Sequence, residues 1–379
     1  MPIAIQKTLS LLLMILLGYL LRSKLNKDEH RKGMKVVILD LALPAMIFVA
    51  LMGVELDSDL LLLPLAILCW NGFMLAASYF TLPFLGIDRH SAQHRTWMML
   101  FPSLAPGLSC FPFLIEYLGD DALAWGALAD VGNKVYVLLI AYLLAMAWYY
   151  KVQKMGEQSN GDKIKQLLLA MIKEPINMVI IAALILLSFG LNMTSLPSFL
   201  GESITMLKNI MTPLVLLFIG MSVILKWKQI QSIFSLLLFR AGLSLLISGI
   251  LISLVDLPST AAILVAIVFP LSSASFWPFA HMSAVHQLES QKESNTHTFD
   301  LGLGINILAV SLPFSTLLIL GIFSAGETFA NPSPVFILGS ILFLLPLIPR
   351  FFSWIKDQEI DFSFLKSHDF KDSPSQERG

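Results

Sequence analysis

The chain has 379 residues, of which 56% are hydrophobic and only 13% are charged, and its net charge is −1. Soluble domains carry about 25% charged residues, so this composition excludes an ordinary soluble globular protein and predicts a polytopic membrane protein in the lipid bilayer. The net charge gives no information about a nucleic-acid partner, but the sequence shows no basic aromatic face, so no nucleic acid is expected. Cys69 and Cys110 both lie in apolar stretches, so no disulfide is expected.

Apolar stretches long enough to cross a bilayer recur along the chain, since about 20 residues cover roughly 30 Å of hydrocarbon. The first, 3–21, is followed by Arg22 and Lys24 rather than by a small-residue cleavage site, which favours a transmembrane helix over a secretory signal. The ten predicted spans are 3–21, 34–53, 60–82, 96–118, 121–150, 170–190, 201–225, 232–256, 259–283 and 299–323. A shorter run, 334–349, is a candidate eleventh segment. The fold class is therefore all-α, with ten transmembrane helices.

The connections between these spans alternate in charge. The odd connections contain Lys and Arg, whereas the even ones contain Asp and Glu without any Lys or Arg. The positive-inside rule assigns the odd connections to the cytoplasm. We therefore predict a plasma-membrane protein (inner membrane in a bacterium) with its N-terminus outside. Arg350 and Lys356 favour a crossing by 334–349, which makes the C-terminus cytoplasmic.

The polar stretch 151–169 divides the chain into halves that carry matching landmarks. Corresponding landmarks lie 166 to 173 residues apart: Gly18 and Gly190, Pro44 and Pro213, Pro102 and Pro270, Pro112 and Pro278, Asn133 and Asn306. Five spans start outside in the first half and five start inside in the second. This predicts an inverted repeat, with residues 1–150 as the first unit, 151–169 as a cytoplasmic linker and 170–325 as the second unit. Residues 326–379 add the short hydrophobic segment and a polar tail.

Two predicted spans contain prolines that a continuous helix does not accommodate. The stretch 101–113 holds Pro102 and Pro106, and the stretch 269–279 holds Pro270. Each proline removes an N–H and clashes with the preceding turn. Within a bilayer the freed backbone groups need partners in neighbouring helices or in a polar cavity. Two interrupted spans at matching places indicate that both halves contribute to a binding site near the membrane midplane.

Polar residues are predicted at the same depth. At 1.5 Å per residue, Asp130, Asn133 and Lys134 lie roughly 13–20 Å into the fifth span, and Asn306 lies roughly 10 Å into the tenth. Asp130 and Lys134 share a helix face and can form a structural ion pair. The favoured alternative is that Lys134 faces an anionic substrate while Asp130 exchanges a proton. The two asparagines either cross-link helices or contact the substrate.

Serines near the breaks can cap the half-helices, and freed N–H groups at a half-helix N-terminus can bind an anion. These serines are Ser103, Ser109, Ser272, Ser273 and Ser275. Arg240 is expected to extend towards the cytoplasmic surface, and Asn71 to bond a neighbouring helix. His281 and His286 are five residues apart and do not share the face that a two-histidine metal site needs. No metal or cofactor is predicted.

Four motifs carry a resemblance to a known family: Gly18-Tyr19-Leu20-Leu21-Arg22, Leu43-Pro44-Ala45-Met46-Ile47-Phe48, Lys173-Glu174-Pro175 and Pro213-Leu214-Val215-Leu216-Leu217-Phe218-Ile219-Gly220. In this order, over about 1–325, the chain resembles the auxin efflux carrier family, within the superfamily of bile-acid, arsenite and auxin transporters with inverted repeats. The resemblance implies that helices 4 and 9 are broken, cross at proline and move against a scaffold of helices 1, 2, 6 and 7. It also implies an organic-anion substrate near Asn133 and Asn306. Ser103 and Leu104 stand where the family often has asparagine beside the crossover proline.

We therefore predict a secondary active transporter, not an enzyme, that carries small carboxylates by alternating access, with H⁺ or Na⁺ as candidate coupling ions. The predicted site comprises Asn133, Lys134, Asn306, Ser103, Ser272 and Ser273 for substrate, Asp130 for coupling, and Pro102, Pro106 and Pro270 at the crossover. A cation/proton antiporter is the main alternative and would need further midplane carboxylates. A remote alternative is an intramembrane aspartyl protease, suggested by Asp300 in Phe299-Asp300-Leu301-Gly302-Leu303-Gly304. That chemistry needs a second carboxylate to share a proton. A homodimer is an alternative to a monomer.

Overall fold

The computed structural model describes residues 3–25, 28–53, 62–153, 175–222, 227–291 and 296–348. Within these ranges the chain consists of helices and connecting loops, without any strand. Seven helical stretches in the described part of the chain are long and apolar enough to cross a membrane: Glu29–Leu51, Leu62–Phe84, Asp120–Val152, Ser198–Met221, Gln231–Leu254, Thr260–Ser290 and Leu301–Ser324. Many large apolar side chains on the helices are exposed, as expected for surfaces that contact lipid. In the described residues, the prediction of an all-helical chain with several helices that could span a membrane is confirmed.

The described ranges contain α-helices of four to 28 residues. They are α1 (Ile3–Leu21), α2 (Asp28–Val36), α3 (Leu43–Leu51), α4 (Leu62–Phe84), α5 (Ala92–Leu100), α6 (Pro106–Ser109), α7 (Phe111–Leu118), α8 (Asp120–Lys134), α9 (Ala141–Val152), α10 (Pro175–Ser188), α11 (Ser198–Ser222), α12 (Trp227–Leu254), α13 (Thr260–Val268), α14 (Phe276–Gln291), α15 (Leu301–Ser324) and α16 (Pro332–Leu344). One π-helical turn, Val37–Ala42, joins α2 to α3, and a second, Val135–Ile140, joins α8 to α9.

The ten predicted spans do not all appear as long helices. The fourth is divided into α5, α6 and α7, and the first and sixth include shorter apolar helices, Leu9–Leu21 and Met178–Ser188. The count of ten and the inverted repeat therefore stay predictions. The predicted linker beyond residue 153 and the tail beyond residue 348 lie outside the described residues. The candidate eleventh segment overlaps α16, which packs against α12.

Close backbone contact joins α1 to α11 at two glycines. A β-carbon on Gly220 would overlap the Ile15 carbonyl oxygen, and one on Gly18 would overlap the backbone of Leu217. Small residues allow membrane helices to approach this closely. Gly190, which the repeat pairs with Gly18, instead ends α10 with φ +72°, so these two landmarks have different local roles.

Candidate functional site

The two proline-containing segments are both interrupted, and they contact each other at the interruption. Helix α5 ends at Leu100 and α6 begins at Pro106, while a 3₁₀ turn, Phe269–Leu271, and a short non-helical stretch separate α13 from α14. The Ala105 N–H donates to the Ser273 carbonyl at 2.8 Å. The Ser273 and Ser275 N–H groups donate to the hydroxyls of Ser109 and Ser103, at 2.9 and 3.0 Å. These freed backbone groups thus find partners across the contact, as a non-aqueous environment requires.

Arg240 of α12 supplies three more hydrogen bonds to this contact. Its Nε donates to the Phe101 carbonyl at 2.7 Å, and its two terminal nitrogens donate to the carbonyls of Ser272 and Ser103, both at 2.9 Å. Only 3% of Arg240 is exposed. The positive guanidinium thus lies just beyond the carboxyl ends of α5 and of the 3₁₀ turn after α13, where helix dipoles are negative.

The prediction that Arg240 extends to the membrane surface is wrong. The predicted span began at residue 232, which placed Arg240 near a helix end. Helix α12 begins at Trp227, so Arg240 is the 14th of its 28 residues. Arg240 is therefore far from either end of its helix. It binds backbone carbonyl groups instead of water, because the interrupted helices leave these carbonyls without intrahelical partners.

Asn133 and Asn71 hold the first interrupted segment with side-chain amides. Asn133 Nδ2 donates to the Leu104 carbonyl at 2.9 Å, and Asn133 Oδ1 accepts from the Leu104 N–H at 3.1 Å. Asn71 Nδ2 donates to the Pro102 carbonyl at 2.7 Å and contacts Asn133 Oδ1 at 3.4 Å. The predicted interhelical bond of Asn71 is confirmed. Both amides replace partners that an unbroken helix would provide within its own backbone.

Asp130 and Lys134 form a buried pair on α8, with Lys134 Nζ 4.0 Å from Asp130 Oδ2. Asp130 Oδ1 accepts a hydrogen bond from Asn133 Nδ2 at 2.8 Å. The three residues share one face because they are three and four positions apart. Lys134 is the last residue of α8 before the π-helical turn. Such turns occur frequently at functional sites.

A cavity of about 860 Å³ lies beside this cluster. Its inner part is bordered by Asp130, Asn133 and Lys134, and by the connection from Leu104 to Gly107. Both π-helical turns contribute to its wall, through Leu39 and Asp40 of the first and Val137 of the second. Drug-sized ligands occupy pockets of roughly 300–1,000 Å³, so a small molecule fits here.

Basic side chains line the surface end of the cavity. Arg31, Lys32 and Lys35 project from α2, and Lys35 Nζ lies 4.4 Å from the ring centroid of Phe276, at the start of α14. Among the described residues, Lys134 and these three make four basic side chains that line the cavity, against two acidic ones, Asp40 and Asp130. This excess of positive charge favours an anion.

The cavity brings together some of the predicted site residues and not others. Those that line it are Asp130, Asn133, Lys134, Pro106 and Ser273. Ser103, Ser272, Pro102 and Pro270 are buried in the contact between the interrupted segments. Asn306 is half-buried on α15 and is not among the lining residues in the described part of the chain, although its neighbour Ile305 is. The assignment of Ser103, Ser272 and Asn306 to substrate binding, and of Pro102 and Pro270 to the crossover, stays a prediction.

Asp300 has a structural role in helix α15. It is the N-cap residue, and its side chain accepts a hydrogen bond from the Leu303 N–H at 2.9 Å. The Asp300 N–H in turn donates to Thr96 Oγ1 at 2.9 Å. Capping accounts for an aspartate at this position.

The fold and the cavity define a polytopic helical membrane protein with a cationic pocket between interrupted helices. No protein-family model matches the chain. Over 240 residues, which cover 60% of this chain and 73% of the relative, the chain is 25% identical to a protein of Methanocaldococcus jannaschii described as "Uncharacterized transporter MJ1031". That description names a transporter and states no substrate.

Proposed function

We propose that this protein is a secondary active transporter of small organic anions, and that the cavity beside Lys134 is its binding site. The observation that carries the proposal is the position of a buried lysine in a pocket bounded by two interrupted helices. Ionisable residues within a membrane are costly and are usually retained for function. The similarity to a protein described as a transporter supports the same class of function.

The surroundings of Lys134 favour a carboxylate over a cation. Three further basic residues line the path from the surface, and they attract anions towards Lys134. Helix α14 begins at Phe276 beside the cavity, so the positive end of its dipole adds to this potential. Asp130 pairs with Lys134, and in the proposed cycle it takes up a coupling proton when the substrate carboxylate binds Lys134.

The proposed architecture is that of the auxin efflux carrier family, with two inverted units of five helices. The order of the described helices supports it, since an interrupted segment occurs once in each half of the chain. The contact between the interrupted segments is then the crossover point. Alternating access is the proposed cycle, in which this unit moves against the helices packed around α1 and α11.

Uptake of radiolabelled mono- and dicarboxylates by proteoliposomes tests this function. We expect Lys134→Met to reduce uptake about tenfold or more, the factor that corresponds to a loss of roughly 1.4 kcal/mol. Lys208→Met is the matched control, because Lys208 lies outside the cavity and pairs with Asp120 at 2.7 Å. It should retain uptake close to that of the wild type.

Two results would contradict the proposal. One is uptake by the wild type no greater than in empty liposomes across the whole panel, and the other is equal uptake by the Lys134→Met and Lys208→Met variants. Cation-driven proton movement without carboxylate uptake would favour the cation/proton antiporter instead. Internal pH, recorded with a fluorescent indicator during the same assay, distinguishes these cases.

A further inference from the structure

A cluster of two histidines and a glutamate lies away from the cavity, at the end of α14. His286 and Glu289 are three residues apart on this helix, and His297 follows in the connection to α15. Their ligand atoms all lie within 4.8 Å of one another. His286 does not share a helix face with His281. It lies beside His297 instead, with the two ring centroids 5.2 Å apart.

The two carboxylate oxygens of Glu289 have different surroundings. Oε1 accepts hydrogen bonds from the N–H and the hydroxyl of Thr298 and from Gln153 Nε2. Oε2 lies 3.6 Å from His297 Nδ1 and 4.0 Å from His286 Nδ1. Glu289 is only 1% exposed. Its burial and the hydrogen bonds to Oε1 hold the side chain in place, with Oε2 directed at the two imidazoles.

His286 Nδ1 is buried and makes no hydrogen bond within the described residues. A buried polar atom without a partner is costly, and a metal ion would satisfy it. The rest of both imidazoles is accessible, since the side chains of His286 and His297 are 41% and 55% exposed. A fixed carboxylate oxygen therefore faces two rings that have room to move.

We propose that His286, Glu289 and His297 form a binding site for a divalent transition-metal ion of the zinc type. Zinc bonds of about 2.0–2.2 Å to nitrogen and oxygen place neighbouring tetrahedral ligand atoms roughly 3.4 Å apart. The two histidine Nδ1 atoms lie 3.6 and 4.0 Å from Glu289 Oε2. Small movements of the exposed rings would shorten these distances to about the tetrahedral value. Two imidazoles and one carboxylate suit zinc, cobalt, nickel or copper better than magnesium or calcium, which prefer oxygen ligands only.

The site would link three parts of the protein. Glu289 joins the end of α14 to the connection before α15 through Thr298, and it reaches the end of α9 through Gln153. A metal ion bound to Oε2 would fix both histidines to the same point. This inference does not depend on the proposed transport, and its test does not measure transport.

Titration of the purified full-length protein, free of any histidine tag, with Co²⁺ tests the site. We expect one Co²⁺ per chain, with the strong visible absorption of a four- or five-coordinate ion, displaced by Zn²⁺. His286→Ala and His297→Ala should each weaken Co²⁺ binding at least about tenfold, the lower end of the effect of lost metal-site partners. His90→Ala is the matched control, because His90 is exposed in another loop.

A second measurement uses stability. Zn²⁺ should raise the melting temperature of the wild type and of His90→Ala, because an ion that binds only the folded state stabilises it, and it should not raise that of the His286 or His297 variants. Glu289→Gln keeps an acceptor for Thr298 but loses the carboxylate oxygen Oε2, so it should also weaken Co²⁺ binding. Equal Co²⁺ binding by wild type, His286→Ala and His297→Ala would overturn the proposal, as would the absence of any Co²⁺ spectrum in the wild type.

Discussion

At the scale of single residues, polar side chains divide into those that hold the interrupted helices and those that border the cavity. Arg240 and Asn71 donate hydrogen bonds to backbone or amide groups at the interruption. Asn133 does both, since it bonds Leu104 and also lines the cavity. Lys134 lines the cavity and pairs with Asp130.

Arg240 is expected to stabilise the fold strongly. Arg240→Met leaves three buried carbonyls without their donor, and each unsatisfied buried group costs about 1–3 kcal/mol. We therefore expect a loss of roughly 3 kcal/mol or more in the free energy of unfolding. Arg240→Lys keeps the charge but not the planar arrangement of donors, so its loss should be smaller.

Thermal unfolding of the purified variants, followed by intrinsic fluorescence, measures this effect. Arg89→Met is the matched control, because Arg89 is exposed and its guanidinium lies 5.3 Å from the Tyr79 ring centroid. It should melt within a few degrees of the wild type. A melting temperature for Arg240→Met equal to that of Arg89→Met would contradict a stabilising role for the three hydrogen bonds.

At the scale of helices, the pair α1 and α11 packs through backbone rather than side chains. Neither Gly18 nor Gly220 has room for a β-carbon, because the partner helix backbone occupies that space. A similar contact joins α12 to α16, where a β-carbon on Gly242 would meet the backbone of Phe343 and Gly339. Close helix contacts of this kind are stabilised by dispersion, since lipid supplies no hydrophobic driving force.

Gly220→Ala is expected to separate α1 from α11. The added methyl overlaps the Ile15 carbonyl, and overpacking of this kind costs about 1–3 kcal/mol. Gly72→Ala is the control, because a β-carbon on Gly72 of α4 meets no atom within 4 Å, and alanine favours the helix by about 1 kcal/mol. Melting temperatures should fall for the first variant and stay equal or rise for the second. The opposite order would show that the glycine contact is not stabilising.

At the scale of the whole molecule, the cavity reaches from the surface at α2 to the contact between the interrupted segments. The positive-inside prediction assigns the start of α2 to the cytoplasm. With this predicted orientation, the cavity opens to the cytoplasm, and the structure corresponds to the inward-open state of the proposed cycle.

Thiol labelling tests this opening. In a Cys69→Ala background, Ala309→Cys places a thiol on the cavity wall, so a membrane-impermeant maleimide should modify it from the cytoplasmic side. The remaining native thiol, Cys110, is fully buried and should stay unmodified as the internal control. A transported carboxylate should slow the labelling. Modification of Ala309→Cys only from the outside, in sealed vesicles of known orientation, would contradict the predicted orientation.

The sequence predicted the features that depend on local composition. The membrane class follows from hydropathy, and the interruptions follow from the chemistry of proline at Pro102, Pro106 and Pro270. The common face of Asp130, Asn133 and Lys134 follows from helical spacing. These properties can be predicted without knowing which segments pack together, because each depends on residues close together in the sequence.

The tertiary structure alone decided which groups meet. Arg240 lies more than 130 residues from Phe101 and Ser103 along the chain, yet it binds both. His297 lies 11 residues after His286, yet its ring centroid is 5.2 Å away, and the two form one cluster with Glu289. A hydrogen bond or a metal site requires atoms within a few ångströms, and helix packing, not sequence spacing, sets those distances.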